Sequence, residues 1–195
     1  MSRPTKSSRF IVGLTGKNAA GKGEIGLILK RLGYAYFSLS DVLREAAAAR
    51  GLSPSRETLI LLGRELRERG GPGVLAEKTI QKLAQGSYVI DSVRNPAEVG
   101  LLRKEGHFFL LAVDAPPLVR FERARTRGRT ENAPTLEKFL ELEERENSVS
   151  PLAQQLNQTI ELADETIRND RGLAELEDSV RGLLLQRKFP CPAIC

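Results

Sequence analysis

A glycine- and lysine-rich segment near the start of the chain restricts the possible folds more than any other feature. Residues 16–22 read GKNAAGK, which fits the spacing G-x-x-x-x-G-K. The segment follows an apolar, β-branched run at residues 9–14 and precedes apolar residues at roughly helical spacing. In a loop between a strand and a helix, successive backbone N–H groups can surround an anion, and the helix N-terminus adds positive potential. The sequence therefore predicts a site for a nucleotide's phosphates, the phosphate loop (residues 16–22), rather than an ordinary glycine-rich turn.

The rest of the chain alternates apolar runs with helical patterns. Further strands are predicted at residues 34–39, 88–91, 107–113 and 163–168. Strands that alternate with helices are typical of βαβ units, in which a parallel sheet carries helices on both faces. We expect Ser40 or Asp41 to cap the helix after the second strand, and Ser53-Pro54 to start the next helix. No repeat or interdomain linker is visible, so we expect residues 1–195 to form a single domain.

The charge of the chain is concentrated in one arginine cluster. The chain carries +5 in total, and residues 120–129, with five arginines and one glutamate, carry +4 of it. Such a localised cluster favours a small anionic ligand over nucleic acid. Arg123 and Arg127 lie four residues apart on one predicted helix face, so we expect them to act together. Arg120 and Arg125 are expected to be solvated helix charges.

Two carboxylates stand close to the predicted phosphate site. Asp91 ends the strand at residues 88–91, at the edge where α/β sheets bind ligands, although it could instead pair with Arg94 in a turn. Gly23 and Glu24 follow the lysine of the phosphate loop, where a magnesium-binding Ser or Thr is usual. Glu24 could repel a triphosphate, bind magnesium, or point away and stabilise the helix N-terminus.

Composition excludes several other classes of protein. No run of eighteen apolar residues is present, and residues 1–6 lack the apolar core of a signal peptide. Two cysteines, Cys191 and Cys195, exclude a disulfide framework and suit a reducing cytosol, and a single histidine excludes multi-histidine metal sites. We therefore expect a cytoplasmic protein without a membrane partner, whose residues 189–195 form a flexible tail.

These motifs resemble those of nucleoside monophosphate kinases. The run Gly21-Lys22-Gly23 is similar to their G-K-G-T, with Glu24 in place of the threonine. Their G-D-x-L-R, D-G-x-P-R and lid R-x-x-x-R motifs resemble SDVLR at residues 40–44, VIDSVR at 89–94 (one residue shorter) and RARTR at 123–127. Residues 163–169 are similar to the end of dephospho-coenzyme A kinases. The likeness is closest to the P-loop domain that precedes the deaminase in some deoxycytidylate deaminases, and to related archaeal NTPases.

The resemblance implies a fold and an activity. The fold is a three-layer α/β P-loop NTPase fold with five parallel strands in the order 2-3-1-4-5, an acceptor-binding insertion at about residues 40–85 and a lid region at about 120–147. The activity is ATP- and magnesium-dependent phosphoryl transfer to a small phosphate-bearing acceptor, such as a ribo- or deoxynucleoside monophosphate. Dephospho-coenzyme A is a second acceptor. A further alternative is a nucleotide-binding domain with weak catalysis that regulates a separate deaminase. A nucleic-acid binder is the least favoured reading.

The resemblance and the phosphate loop together assign roles to individual residues. ATP would contact Gly16, Lys17, Asn18, Ala19, Ala20, Gly21, Lys22, Gly23 and Glu24. Magnesium would contact Asp91 and Glu24, and the acceptor's phosphate would contact Ser40, Arg44 and Arg94. The residues with catalytic roles would be Lys22, Asp91, Arg123 and Arg127, whose charges surround the transferring group.

Overall fold

A sheet of five parallel strands forms the centre of the computed structural model, which describes residues 9–128, 133–147 and 149–192. The strands are β1 (Arg9–Thr15), β2 (Ala35–Ser38), β3 (Gly86–Asp91), β4 (His107–Asp114) and β5 (Glu165–Arg168). They lie side by side in the order β2-β3-β1-β4-β5, and every adjacent pair is parallel. The predicted fold class and strand order are confirmed.

Helices cover both faces of the sheet. They are α1 (Lys22–Arg31), α2 (Leu39–Ala49), α3 (Arg56–Gly70), α4 (Val74–Ile80), α5 (Pro96–Leu102), α6 (Pro117–Thr126), α7 (Leu136–Glu146), α8 (Leu156–Glu161) and α9 (Leu173–Gln186). Because side chains alternate along a strand, β1 contributes to two cores. Val12 and Leu14 pack with α1 and α9, whereas Ile11 packs with α2, α4 and α5. The sheet is thus the middle of three layers.

Some local boundaries differ from the sequence predictions. Ser38, not Ser40 or Asp41, caps α2, because its side chain accepts a hydrogen bond from the backbone N of Ser40 at 3.3 Å. Ser55 caps α3 by accepting from the backbone N of Thr58, so this helix begins two residues after Pro54. Helix α8 has no counterpart among the predicted elements.

A small apolar cluster attaches α6 and α7 to the phosphate loop. Phe121 of α6 and Phe139 of α7 meet edge to face, with ring centroids 5.8 Å apart. Ala19 of the phosphate loop packs against the same cluster. The charged helix α7 is therefore not solvated all round: one side of it is fixed next to the loop.

The described part of the C-terminal segment packs against the core rather than forming a flexible tail. Phe189 contacts the rings of Phe10 and Phe109, and the Tyr34 hydroxyl donates to the Pro190 carbonyl at 2.7 Å. Cys191 is half-buried against the same core. Cys195 lies outside the described residues.

A buried ion pair joins α3 to the first turn of α5. Arg67 and Glu98 side chains are 5% and 0% exposed, and Arg67 Nη2 donates to Glu98 Oε1 at 2.9 Å. The other oxygen, Glu98 Oε2, accepts from the backbone N–H groups of Arg94 and Asn95. Burial raises the pKa of Glu98, and the charge of Arg67 opposes that rise. The pair therefore holds the backbone at Arg94 in place.

We expect Arg67→Met to lower the free energy of unfolding by about 3–5 kcal/mol, because it leaves the Glu98 carboxylate buried without its counter-ion. Arg64→Met is the matched control on the same helix, since Arg64 is 70% exposed in a surface pair with Glu68; its expected cost is below about 1 kcal/mol. Urea unfolding of both variants measures the difference. Equal costs for the two would contradict the assignment.

Candidate active site

The backbone of the phosphate loop has a shape that only glycine permits at two positions. Gly16 and Gly21 have φ values of 132° and 113°, in the left-handed region. A Cβ at residue 16 would lie 2.2 Å from the Val113 carbonyl oxygen, and one at residue 21 would lie 1.9 Å from Asn169 Nδ2. The loop is thus closely held between β4 and the residue after β5, at the carboxyl ends of the strands.

Lys22 lies beneath this loop with its amine turned back into it. The side chain is buried, and its Nζ donates to the carbonyl oxygens of Gly16 at 2.7 Å and Lys17 at 2.9 Å. The pKa of Lys22 is lowered to about 8, mainly by burial and then by the charge of Arg94, while the charges of Asp91 and Glu143 act in the opposite direction. A lysine amine that has lost its hydration shell is stabilised in its charged form when an anion binds to the loop.

Arg123 of α6 and Arg127, directly after that helix, extend towards the phosphate loop and the first turn of α1. Arg123 makes long hydrogen bonds to the Ala20 carbonyl at 3.4 Å and to Asn169 Oδ1 at 3.5 Å. Arg127 Nη2 lies 3.2 Å from Glu24 Oε1, so the glutamate that replaces the usual threonine is ion-paired with an arginine. Arg129 of the same cluster lies outside the described residues.

Arg120 is a site residue that the sequence prediction missed. It was expected to be solvated, but it is 1% exposed. Its Nε donates to the Ala115 carbonyl at 3.1 Å, and its Nη1 contacts the Asn18 carbonyl and forms an ion pair with Glu143 of α7. The spacing of the arginines could have indicated this, because residues 120, 123 and 127 are three and four positions apart and so fall on one face of a helix. The side chain of Arg125 faces elsewhere and is exposed beside Glu122, as predicted.

Asp91 occupies the end of β3, next to the phosphate loop. Its Oδ2 accepts from the Tyr36 hydroxyl at 2.7 Å, and its Oδ1 accepts from the backbone N of Ser92 at 2.5 Å. Burial, and then the charge of Asp91, raise the pKa of Tyr36, so its hydroxyl stays protonated and donates. Because Asp91 also acts on the pKa of Lys22, the carboxylate and the loop amine share one site.

The three residues predicted on the acceptor side have different surroundings. Arg94 Nη1 donates to Gln154 Oε1 at 2.8 Å, close enough to Lys22 to affect its pKa. Arg44 is exposed and pairs with Asp41 at 2.7 Å. Ser40 lies in the first turn of α2, directly before Asp41 in the chain. The structure thus brings Arg94 next to the loop and leaves Arg44 on an open surface.

The two carboxylates expected to bind magnesium have different partners, Tyr36 for Asp91 and Arg127 for Glu24. Within the described ranges, no three His, Cys, Asp or Glu side chains are grouped as a ready-made metal site. Magnesium in nucleotide sites uses one or two carboxylates together with substrate phosphates and water. The donor set at Asp91, beside the phosphate loop, fits that use.

Comparisons with known proteins agree with this architecture. Residues 12–149 match the family model described as "AAA domain". A UPF0200 protein of Hyperthermus butylicus is 35% identical over 179 residues, which cover 90% of this chain and 94% of that protein. The chain belongs to the UPF0200 family. The UPF0200 protein PH1008 of Pyrococcus horikoshii is also 35% identical, over 88% of this chain and 94% of its own length. These archaeal relatives are matched almost end to end, and no fusion to a deaminase is evident in them.

Solved structures related to this UPF0200 chain include small-molecule kinases. Shikimate kinase from Acinetobacter baumannii, in complex with shikimate, aligns with a TM-score of 0.58 and 17% identity, over 93% of this chain and 96% of that one. The Mycobacterium tuberculosis APS kinase CysC aligns with a TM-score of 0.52 and 19% identity, over 93% and 99% of the two chains. At these identities the likeness shows a shared P-loop kinase fold.

None of the described helices in this family member has both the length and the apolar character needed to cross a membrane.

Proposed function

We propose that the chain binds ATP on the phosphate loop and transfers its terminal phosphoryl group to a small phosphate-bearing acceptor. The observation that carries the proposal is the buried amine of Lys22, which is desolvated, held by two loop carbonyls and partly neutralised by neighbouring carboxylates. A lysine that is buried and bound to the loop in this way is stronger evidence for phosphate binding than the glycines of the loop are, because glycines also occur in ordinary turns.

Phosphoryl transfer requires in-line positioning and positive charge around the transferring group rather than covalent chemistry by the protein. In the proposal, Lys22 and the loop N–H groups hold the donor. Arg123, beside Ala20, stabilises the charge that develops on the transferring group. Arg127 reaches the phosphates only after it leaves Glu24, so that ion pair would break when ATP binds.

The proposed site also accommodates magnesium. Asp91 would hold the ion together with the nucleotide's phosphates, and the ion would supply positive charge to the phosphate oxygens. The Tyr36 hydroxyl and the Ser92 N–H orient the carboxylate, and each Asp91 oxygen keeps a lone pair for a further partner. Glu24 is the weaker candidate ligand, because its carboxylate is already paired with Arg127.

On the acceptor side, Arg94 is the residue that the geometry favours. It lies near Lys22, and the buried Glu98 fixes its backbone. Arg44 and Ser40 would join it only if the acceptor extends across the surface of α2. A nucleoside monophosphate or dephospho-coenzyme A has that length and carries phosphate for the arginines to bind.

A second candidate function is ATP binding with little catalysis, in which the chain regulates a partner such as a separate deaminase. The ion pair between Glu24 and Arg127 favours this candidate, because it occupies an arginine that would otherwise be available to phosphates. Binding of ATP without any transferred phosphoryl group is the result that this candidate requires.

Product analysis distinguishes the two candidates. The purified chain is incubated with magnesium and ATP labelled on the terminal phosphate, together with ribo- and deoxynucleoside monophosphates or dephospho-coenzyme A. The proposed function predicts a labelled product that forms over many turnovers. If ATP binds and no label moves, the regulatory candidate replaces the enzyme. If ATP does not bind, both candidates are wrong.

A further inference from the structure

A small cavity with both polar and apolar walls lies directly beside the phosphate loop. Its volume is about 110 Å³, and its walls include Lys17 and Asn18 of the loop, Arg94, Glu143 of α7 and Gln154. The lysine of such a loop reaches the outer phosphates of a nucleotide. Lys17 and Asn18 place this cavity against the loop. Arg94 and Glu143 in its walls also act on the charge of Lys22, so the outer end of a triphosphate on the loop would lie near it.

Of the two carboxylate oxygens of Glu143, one has a partner among the described residues and the other has none. Its side chain is 10% exposed, and Oε1 is paired with Arg120. The other oxygen, Oε2, is buried and has no hydrogen-bond partner among the described residues. A buried carboxylate oxygen without a hydrogen-bond donor raises the free energy of the folded protein, so its presence needs an explanation. A ligand that donates a hydrogen bond would supply it.

Arg120 gives Glu143 a fixed position. The guanidinium is itself held by the Ala115 and Asn18 carbonyls, and it lies over the Phe139 ring at 5.7 Å. Because α6 and α7 are also joined by the Phe121–Phe139 contact, the carboxylate cannot swing away without breaking a packed unit. A rigidly placed carboxylate with a spare lone pair is the arrangement that a general base requires.

We propose that Glu143 is a catalytic residue that takes the proton from a hydroxyl or water nucleophile, so that the reacting oxygen of the acceptor is an O–H and not a phosphate oxygen. The proposal rests on the proposed function. The nucleophile's oxygen forms a bond to the terminal phosphorus, and the bond from that phosphorus to the oxygen bridging to ADP breaks. The proton passes to Glu143, and ADP leaves with the electron pair of the broken bond.

The charge of the acceptor decides between the two kinds of nucleophile. A phosphate monoester already carries about −1.5 to −2 charges at pH 7, so its oxygens need no base. A carboxylate beside such an oxygen also repels it. A hydroxyl must lose a proton as the new bond forms, and the spare oxygen of Glu143 can accept it. A phosphate-bearing acceptor remains compatible, provided that Arg94 binds its phosphate and a hydroxyl elsewhere on the molecule reacts.

The test uses the full chain with magnesium and terminally labelled ATP in three arms. These contain no acceptor, the hydroxyl acceptors adenosine and dephospho-coenzyme A, or the monophosphates AMP and dCMP. The labelled product identifies the nucleophile. Inorganic phosphate indicates that water reacted, a new phosphate ester indicates that a hydroxyl reacted, and a nucleoside diphosphate indicates that a phosphate oxygen reacted. We expect a new phosphate ester when an acceptor is present and inorganic phosphate when none is, and a loss of about 10²-fold in turnover for Glu143→Gln with ATP affinity nearly unchanged.

Two variants separate catalysis from structure. Glu141→Gln makes the same change on an exposed part of the same helix and should leave turnover unchanged. Glu143→Asp keeps a carboxylate and should be faster than Glu143→Gln. A nucleoside diphosphate as the main wild-type product overturns the proposal while the proposed function stands, whether or not the Gln variant folds. The proposal is also overturned if Glu143→Gln keeps the turnover of the wild type, or if its loss of turnover is matched by an equal loss of ATP affinity. If no labelled product forms, or if inorganic phosphate is the only labelled product in every arm, the proposed function has failed, and the proposal fails with it.

Discussion

Lys22→Met is expected to lower the rate of phosphoryl transfer by about 10³-fold, because it removes the charge closest to the outer phosphates while nearly keeping the length of the side chain. The effect should be large because the Lys22 amine is already desolvated and held by two carbonyl oxygens of the loop. Turnover of labelled ATP measures the loss. Titration with a fluorescent ATP analogue shows how much of it comes from binding.

Lys30→Met is the matched control, since Lys30 lies in the last turn of the same helix and is exposed. It removes the same charge from the chain but none from the site, and its turnover should equal that of the wild type. If Lys22→Met kept near-normal turnover, the phosphate loop would not be the donor site, and the proposed function would have to be abandoned. Urea unfolding of both variants shows that each comparison is made on folded protein.

The sequence predicted the phosphate loop and the sheet because both depend on local information. The Gly16 and Gly21 positions, the β1 run before them and the apolar spacing of α1 lie within about thirty residues, and the two glycines permit the left-handed backbone that the loop needs at these positions. The strand order came from the resemblance, and the sheet confirms it. Tertiary packing was not needed for either prediction.

The partners of the site residues depended on tertiary packing and were not predicted. Tyr36 reaches Asp91 only because β2 pairs with β3, strands that are fifty residues apart in the chain. In the sequence, Glu143 is one of several glutamates on a charged helix, and it was assigned no role. Its burial follows from the Phe121–Phe139 contact, which turns that face of α7 towards Arg120. Charge and periodicity alone do not indicate which face of a charged helix is covered.

Helix starts were misplaced where two serines compete for one cap. Ser38 and Ser40 both lie within two residues of the start of α2, and Ser53 and Ser55 both precede α3. Composition favours either member of each pair equally. The choice depends on which hydroxyl accepts a backbone N–H of the first turn, and the structure assigns this role to Ser38 and Ser55. The shift matters for the site, because it places Ser40 inside α2 rather than at its cap.

Arg123→Gln is expected to reduce turnover by about 10³-fold with a much smaller loss of ATP affinity, because an arginine that stabilises charge on the transferring group acts mainly in the transition state. Arg123 is the α6 arginine best placed for this role. Its contacts to the Ala20 carbonyl and Asn169 Oδ1 are long, at 3.4 and 3.5 Å, so a phosphate can compete for the guanidinium. Arg120 is instead held tightly by Glu143.

Arg125→Gln provides the control, since Arg125 lies on the same helix, 65% exposed beside Glu122. Both variants remove one positive charge from one arginine cluster, so a general effect of net charge on ATP binding would weaken the two equally. If the location of the Arg123 side chain matters rather than the net charge of the cluster, only Arg123→Gln loses turnover. Arg123→Lys adds a third comparison, because lysine keeps the charge but cannot reach Ala20 and Asn169 together. Its turnover should fall between that of the wild type and that of Arg123→Gln, and equal rates for all of these proteins would remove Arg123 from the mechanism.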